Sequence, residues 1–415
     1  VGWKHYFYIV IALGVVLGML MKRIRSEGNM SHQIILPRVM HIGKGASQRV
    51  AETLKGLNCH KPLLVTDKVM VELGYSAAIV QVLEEAGISA DVFSDTVPEP
   101  TVRSIYRGVD AFKTHAYDSI IALGGGSPID SAKAIAILGK YGGEMRDYKF
   151  PRVVDEAGLP IIAIPTTAGT GSEATRFTII TDEDTTEKML CVGLGFMPTA
   201  ALVDYSLTQS LPARVTADTG IDALTHAIEA FVSRKANLYS DAQALSAMAL
   251  IAPNLRTVFA DPTNETARES MMLGSTLAGI AFSNASVALV HGMSRPIGAV
   301  FHVPHGLSNA MLLPAVTAFS IPSASVRYAQ CARAMGVATQ SDSDEVANQK
   351  LINELKALNA DLQVPTPADF GIDKEAFFAA TSTMAEQALA SGSPGNNPRI
   401  PTIEEMVAIY VSLWE

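Results

Sequence analysis

The chain has 415 residues, enough for two domains with buried cores, and 48% of them are hydrophobic against 18% charged. A formal net charge of -9 argues against a nucleic-acid partner, because binding a phosphate backbone rests on clustered Lys and Arg. The three cysteines, Cys59, Cys191 and Cys331, stand far apart without a CxxC pair, which excludes a disulfide framework or cysteine-zinc site and points to a reducing, cytoplasmic compartment.

Tyr6 to Met21 is an almost unbroken apolar run followed by Lys22, Arg23 and Arg25. It is short for a bilayer span, which needs about 20 apolar residues. Three readings of residues 1–29 stay open: translation upstream of a natural start at Met30, a marginal anchor that leaves the main body in the cytoplasm, or a hydrophobic helix packed on the body. The basic residues follow the apolar core and no small-residue cleavage site is evident, so a cleaved signal peptide is not among them. Membrane contact is expected only if residues 6–21 are a real anchor.

From Ile34 to about Tyr205, short apolar runs alternate with amphipathic stretches, the pattern of a parallel sheet wrapped by helices. Strands are expected at Pro62–Asp67, Ala90–Phe93, Ser119–Leu123 and Ile161–Ile164, and helices at Val69–Ala86 and Val102–His115. The third strand runs directly into Gly124-Gly125-Gly126-Ser127-Pro128. Glycines there let backbone amides approach an anion, and Ser127-Pro128 can start a helix whose N-terminus favours negative charge. A pyrophosphate-binding loop and a plain strand-to-helix turn both fit. After the next strand, Pro165 to Glu173 offers hydroxyls and glycines, including Thr166, Thr167 and Thr170, to a phosphate or ribose; a capped loop fits equally. Asp67, at the end of its strand, either caps a turn or accepts from ribose hydroxyls, in which case it favours NAD over NADP by repelling a 2′-phosphate.

Beyond Ser206 the periodicity becomes that of long helices, expected at Thr216–Ser233, Leu238–Phe259, Glu265–Phe282, Ala324–Met335, Asp344–Leu358 and Lys374–Ala390, with prolines punctuating the pattern. The chain therefore divides into an extension (1–29), an α/β part (30–205) and a helical part (206–415). In the first of these helices, Asp222 and His226 are four apart and project from one face, so they can grip one ion together. His291 and His305, each followed by a glycine, are the best candidates to complete the set. Three imidazoles and a carboxylate suit iron(II), zinc, cobalt or nickel better than magnesium or calcium. A surface Asp/His pair is the other reading of Asp222 and His226. His302 reads as a partner of the cluster or as packing.

The glycine loop through Lys133, Ile164 to Glu173, Gly220 to Glu229, and His291-Gly292-Met293 with Pro304-His305-Gly306 together resemble the motifs of the iron-containing (group III) alcohol dehydrogenases, in order and spacing from about residue 34 to the C-terminus. The resemblance implies an N-terminal Rossmann-like dinucleotide-binding α/β domain, an all-α metal-binding C-terminal domain (a dehydroquinate synthase-like fold), a cleft between them and a homodimer or larger homo-oligomer. It implies an NAD- and metal-dependent alcohol dehydrogenase or aldehyde reductase acting on a small alcohol or aldehyde. Its metal positions, for Fe2+ with Zn2+ as the alternative, fall on Asp222, His226, His291 and His305. Its cofactor positions fall on Asp67, Gly125, Gly126, Ser127, Thr166, Thr167, Thr170 and Lys188, and Phe282 matches a pocket-lining position.

One position departs from the pattern. Many family members carry a histidine where this chain has Arg295, and a guanidinium stays charged and cannot relay protons. Arg295 either attracts a carboxylate-bearing substrate or pairs with a structural acid. Glycerol or maleylacetate oxidoreductases, hydroxycarboxylate or semialdehyde enzymes, phosphate-eliminating lyases of the same superfamily, and a non-catalytic metal and nucleotide sensor are the rival functions. The lyase would want a basic cluster beside the metal motifs, which the sequence lacks.

Overall fold

A computed structural model describes residues 31–185 and 187–414. The readings of residues 1–29 lie outside these. Six parallel strands form the central sheet in the order β1-β8-β5-β4-β2-β3: β1 (Val39–Ile42), β2 (Pro62–Val65), β3 (Asp91–Phe93), β4 (Ser119–Gly124), β5 (Ile161–Pro165) and β8 (Ala200–Val203). Parallel strands covered on both faces read as continuous apolar runs, and β2, β4 and β5 are buried at every position. Successive residues alternate between two cores. Leu63, Val65, Ile120, Ala122, Ile161 and Ala163 enter one core, and Leu64, Ile121, Leu123, Ile162 and Ile164 enter the other.

Helices flank this sheet: α1 (Val50–Gly56), α2 (Lys68–Glu72), α3 (Tyr75–Glu85), α4 (Val102–Lys113) and α5 (Gly126–Tyr141). The single helix expected over Val69–Ala86 is two, because Gly74 takes a left-handed conformation, φ 77°, between them. The strand expected to reach Asp67 stops at Val65, and Asp67 instead caps α2, accepting from the Met70 N–H at 2.9 Å. An antiparallel hairpin that the periodicity did not reveal, β6 (Phe177–Asp182) and β7 (Glu187–Val192), stands between β5 and β8.

The second half is helical: α6 (Ala213–Val232), α7 (Leu238–Ala260), α8 (Glu265–Ala285), α9 (Leu289–Phe301), α10 (His305–Ala334), α11 (Asp344–Asp361), α12 (Lys374–Ala390) and α13 (Ile403–Ser412). Helix α6 is central, packed by α7, α8 and α10, and nearly every side chain from Thr216 to Val232 is buried. Pro253, Pro296 and Pro314 were expected to punctuate helices but lie inside them. Proline removes one backbone donor, a local cost that tertiary packing around these long helices outweighs. Helix α10 is apolar and long enough to cross a membrane by composition, yet half of that window is buried inside the protein, as befits a core helix.

Candidate active site

The sheet order sets the position of one half of the site. From β2 the chain steps to β3 on one side and then to β4 on the other, so the connections diverge between β2 and β4. Ligands of open α/β sheets bind outside the carboxyl ends of strands at such a divergence. Asp67 follows β2, Gly125, Gly126 and Ser127 follow β4, and Thr166, Thr167 and Thr170 follow β5, three adjacent strands. Gly125 is the N-cap of the long helix α5. A Cβ on Gly125 would lie 3.2 Å from Thr167 Cγ2, and one on Gly126 would lie 2.9 Å from Thr170 Cγ2. The glycines thus serve to press two loops together as well as to expose backbone.

The remaining residues of this half have specific partners. Thr166 is buried at the root of its loop, its N–H donating to the Gly124 carbonyl while its Oγ1 has no partner. Ser127 Oγ accepts from the Glu99 N–H at 3.3 Å. Lys188, on β7, pairs with Glu99 at 3.0 Å and sits against Gly298 of α9, which brings the hairpin to the helical half. Asp130 and Lys133, one turn apart on α5, tie the same region together. Asp130 accepts from Ser172 Oγ and the Ile179 N–H, and the fully buried Lys133 ammonium donates to Ser172, Thr175 and the Phe177 carbonyl. Burial pushes the Lys133 ammonium down to about 8, against the pull of Asp130 and Glu173.

Helix α6 supplies the other half. Asp222 and His226 project from one face as the four-residue spacing requires, and both are buried. His291 comes from the first turn of α9 and His305 from the first residue of α10. Their Nε2 atoms lie 3.9 Å (His226), 3.3 Å (His291) and 3.6 Å (His305) from Asp222 Oδ1. The glycines beside the two late histidines serve packing. A Cβ on Gly292 would strike Pro394, and one on Gly306 would strike the Asp218 carbonyl, so both permit close packing of the helices that aim the imidazoles.

Glu229 and Asn309 carry no role in the sequence reading, yet both complete this cluster. Glu229 stands three residues after His226 on α6; its carboxylate meets His291 Nδ1 at 2.6 Å and accepts from the Ala288 and Val290 N–H groups at the start of α9. The i+3 spacing from His226 was the available signal. Asn309 Nδ2 is 2.7 Å from Asp222 Oδ1, 3.1 Å from His291 Nε2 and 3.3 Å from His305 Nε2. A donor nitrogen thus sits where lone pairs of three groups converge, and that convergence of acceptors in a buried place is what a divalent cation requires. His302, by contrast, is exposed at the C-terminus of α9 and belongs neither to the cluster nor to a core.

Electrostatics reinforce the geometry. Burial alone would raise the Asp222 carboxyl, but His226, His305 and His291 outweigh it and hold it far below the usual carboxylate range. Burial draws His226 down to about 4 and His305 to about 3. His291 is pulled down by burial too, but Glu229 and Asp222 lift it to about 9. Phe282 of α8 stacks on His226 with ring centroids 4.2 Å apart. Gly126 and Thr170 from the α/β half, and Asp222, His226, Phe282 and Arg295 from the helical half, line one cavity. The structural acid expected as one possible partner of Arg295 is absent among the described residues; its Nη1 donates to Ser393 Oγ at 3.0 Å.

Comparison with known proteins follows the same division. Residues 37–205 match the family described as iron-containing alcohol dehydrogenase, and residues 216–414 match the C-terminal part of the iron-containing alcohol dehydrogenase family. Lactaldehyde reductase of Escherichia coli (strain K12) is 36% identical over 388 residues, 93% of this chain and 100% of that protein. The NAD-dependent methanol dehydrogenase of Bacillus methanolicus is 35% identical over 90% of this chain and 97% of its own length. A crystal structure of 1,3-propanediol oxidoreductase superposes with a TM-score of 0.89 at 35% identity, covering 92% of this chain and 100% of that one. With both halves matched and relatives of this identity aligned along nearly their whole length, the chain belongs to the iron-containing alcohol dehydrogenase family.

Proposed function

We propose that Asp222, His226, His291 and His305 hold the Fe2+ of an NAD-dependent alcohol dehydrogenase or aldehyde reductase, and that the loops after β2, β4 and β5 hold its NAD. The observation that carries this is the convergence of three imidazole Nε2 atoms on Asp222 Oδ1 within the cavity that Gly126 and Thr170 also line. The reaction converts a primary alcohol and NAD+ to an aldehyde, NADH and a proton. A bound divalent ion supplies Lewis acidity, which lowers the pKa of a hydroxyl. The donor set suits iron(II), with zinc as the chemical alternative.

The chain's own residues have separable tasks in this reading. Glu229 fixes the His291 ring so that Nε2 faces Asp222, the arrangement by which outer partners orient metal-binding histidines. Phe282, stacked on His226, excludes water from one wall and presents an apolar surface to a short carbon chain. Gly125, Gly126, Ser127, Thr166, Thr167 and Thr170 form the phosphate-facing rim at the N-terminus of α5, whose dipole favours an anion. Asp67 keeps one carboxylate oxygen for its helix cap and has a second for a ribose hydroxyl. Lys188, beside Glu99 and near His305, closes the rim from the hairpin.

In this reading residues 30–205 are the dinucleotide domain and residues 206–415 the metal and substrate domain. A cytoplasmic homodimer or larger homo-oligomer is the proposed form: the oligomer follows from the family resemblance, and the three free, buried cysteines support a reducing compartment. The deciding experiment replaces His291 with Ala and measures bound metal by elemental analysis together with NADH absorbance. Loss of both, with the fold retained by circular dichroism, is the expected result; full turnover by the metal-free variant would sink the assignment.

A further inference from the structure

Arg295 is the one Lys or Arg side chain among the described residues that line the cavity, and no carboxylate among them forms an ion pair with it. It stands four residues after His291 on α9, so the two project to the same side about 6 Å apart along the helix axis. Its Nη1 donates to Ser393 Oγ at 3.0 Å, while its Nε is buried without an acceptor. Glu229 contributes field from a distance, but its oxygens are already taken by His291 and by the Ala288 and Val290 N–H groups. A guanidinium presents five donors in a rigid fork, and Ser393 uses one. Leaving a charge in this state inside a protein is costly unless something anionic meets it.

The surroundings of Arg295 are built to hold it still. Ser393 begins a turn, Ser393–Asn396, that packs so closely on α9 that a Cβ at Gly292 would lie 2.8 Å from Pro394. From the same turn, Asn396 Nδ2 donates to Ser286 Oγ and the Val287 carbonyl, pinning it to the loop that also lines the cavity. The fork therefore faces the cavity from a fixed base, one helical turn from the His291 imidazole.

We propose that Arg295 and Ser393 form a subsite for a terminal carboxylate, so that the preferred substrates are short ω-hydroxy acids and the corresponding semialdehydes. This rests on the reaction proposed above and names its substrate class. The oxidised carbon, the electron pair passed to NAD+ and the released proton are those of the plain alcohol reaction; only the far end of the substrate differs. A planar carboxylate accepts two parallel bonds from a guanidinium, which fits the unsatisfied donors here.

The test uses the full chain loaded with Fe2+ and compares 4-hydroxybutyrate with 1-butanol, both with NAD+. Wild type is expected to have the higher kcat/KM with 4-hydroxybutyrate. In Arg295→Met the ratio of the two kcat/KM values should fall about 10- to 100-fold, mostly through KM for the acid, the range of a charged hydrogen bond. Arg295→Lys should recover part of the ratio. Equal loss on both substrates, or a wild type that oxidises only 1-butanol, would overturn the subsite. Failure of the metal-loaded wild type on both substrates would instead overturn the reaction on which it rests. If the Met variant does not fold, wild type alone decides: butyrate should inhibit 1-butanol oxidation competitively at least tenfold more strongly than butanamide, and equal inhibition would overturn the proposal.

Discussion

Glu229 Oε2 lies 2.6 Å from His291 Nδ1, and the opposite nitrogen of the same ring lies 3.3 Å from Asp222 Oδ1. One imidazole is thereby strung between two buried carboxylates that stand seven residues apart on α6. The same Glu229 also holds the first N–H groups of α9, so a single side chain sets both the ring and the helix that carries it.

Glu229→Gln keeps the shape but places an amide where N–H donors converge. Metal affinity, measured by competition with a chelator, should weaken about 10- to 100-fold. An affinity within twofold of wild type would show that His291 is oriented without it.

Asp67→Gly tests the carboxylate beside the expected ribose. Glycine is an acceptable N-cap, costing only a few tenths of a kcal/mol, so the helix α2 cap is not the reason for any change. The ratio of kcat/KM for NADP to that for NAD should rise about tenfold or more, since a 2′-phosphate no longer meets a negative charge. An unchanged ratio would leave Asp67 as a cap alone.

Gly126→Ala places a Cβ 2.9 Å from Thr170 Cγ2 and 3.3 Å from its Oγ1. The two loops must separate, at an overpacking cost of about 1 to 3 kcal/mol. NADH affinity, read by fluorescence titration, should fall about fivefold or more while Fe2+ content stays that of wild type. Unaltered NADH binding would mean that the spacing of these loops is not a condition for holding the cofactor.

Lys133→Met removes a fully buried ammonium that donates to Ser172, Thr175 and the Phe177 carbonyl, and strands Asp130. Breaking a buried charge pair costs about 3 to 5 kcal/mol, which should appear as a lower urea midpoint with the same slope. An unchanged midpoint would show that the ammonium's cost of burial cancels its bonds.

Much of this protein is legible in its sequence. The strands β2, β4 and β5 read as apolar runs because burial on both faces demands it, and the Asp222/His226 pair read as a shared helical face because four residues make one turn. The motifs carrying the family resemblance named the four candidate ligands residue by residue. Other features stayed hidden for physical reasons. Helix α9 contains Gly292, Pro296 and Gly298, poor helix formers whose places are set by packing against the Pro394 turn and the hairpin, so local propensity gives no sign of it. The hairpin β6–β7 alternates too weakly between buried and partly buried positions to stand out.

The same limit governs the site. Sequence alone determined which residue types were available for a metal and a dinucleotide, because spacing on a helix and glycines after a strand are local properties. Only the tertiary structure decided that Glu229 holds His291, that Asn309 sits amid the candidate ligands, and that Arg295 faces the cavity beside Ser393 without an acid among the described residues. Those relationships join residues 18 to 98 positions apart. They arise from the packing of α6, α9, α10 and the Ser393 turn on one another, and long-range packing leaves no periodic trace in a chain read residue by residue.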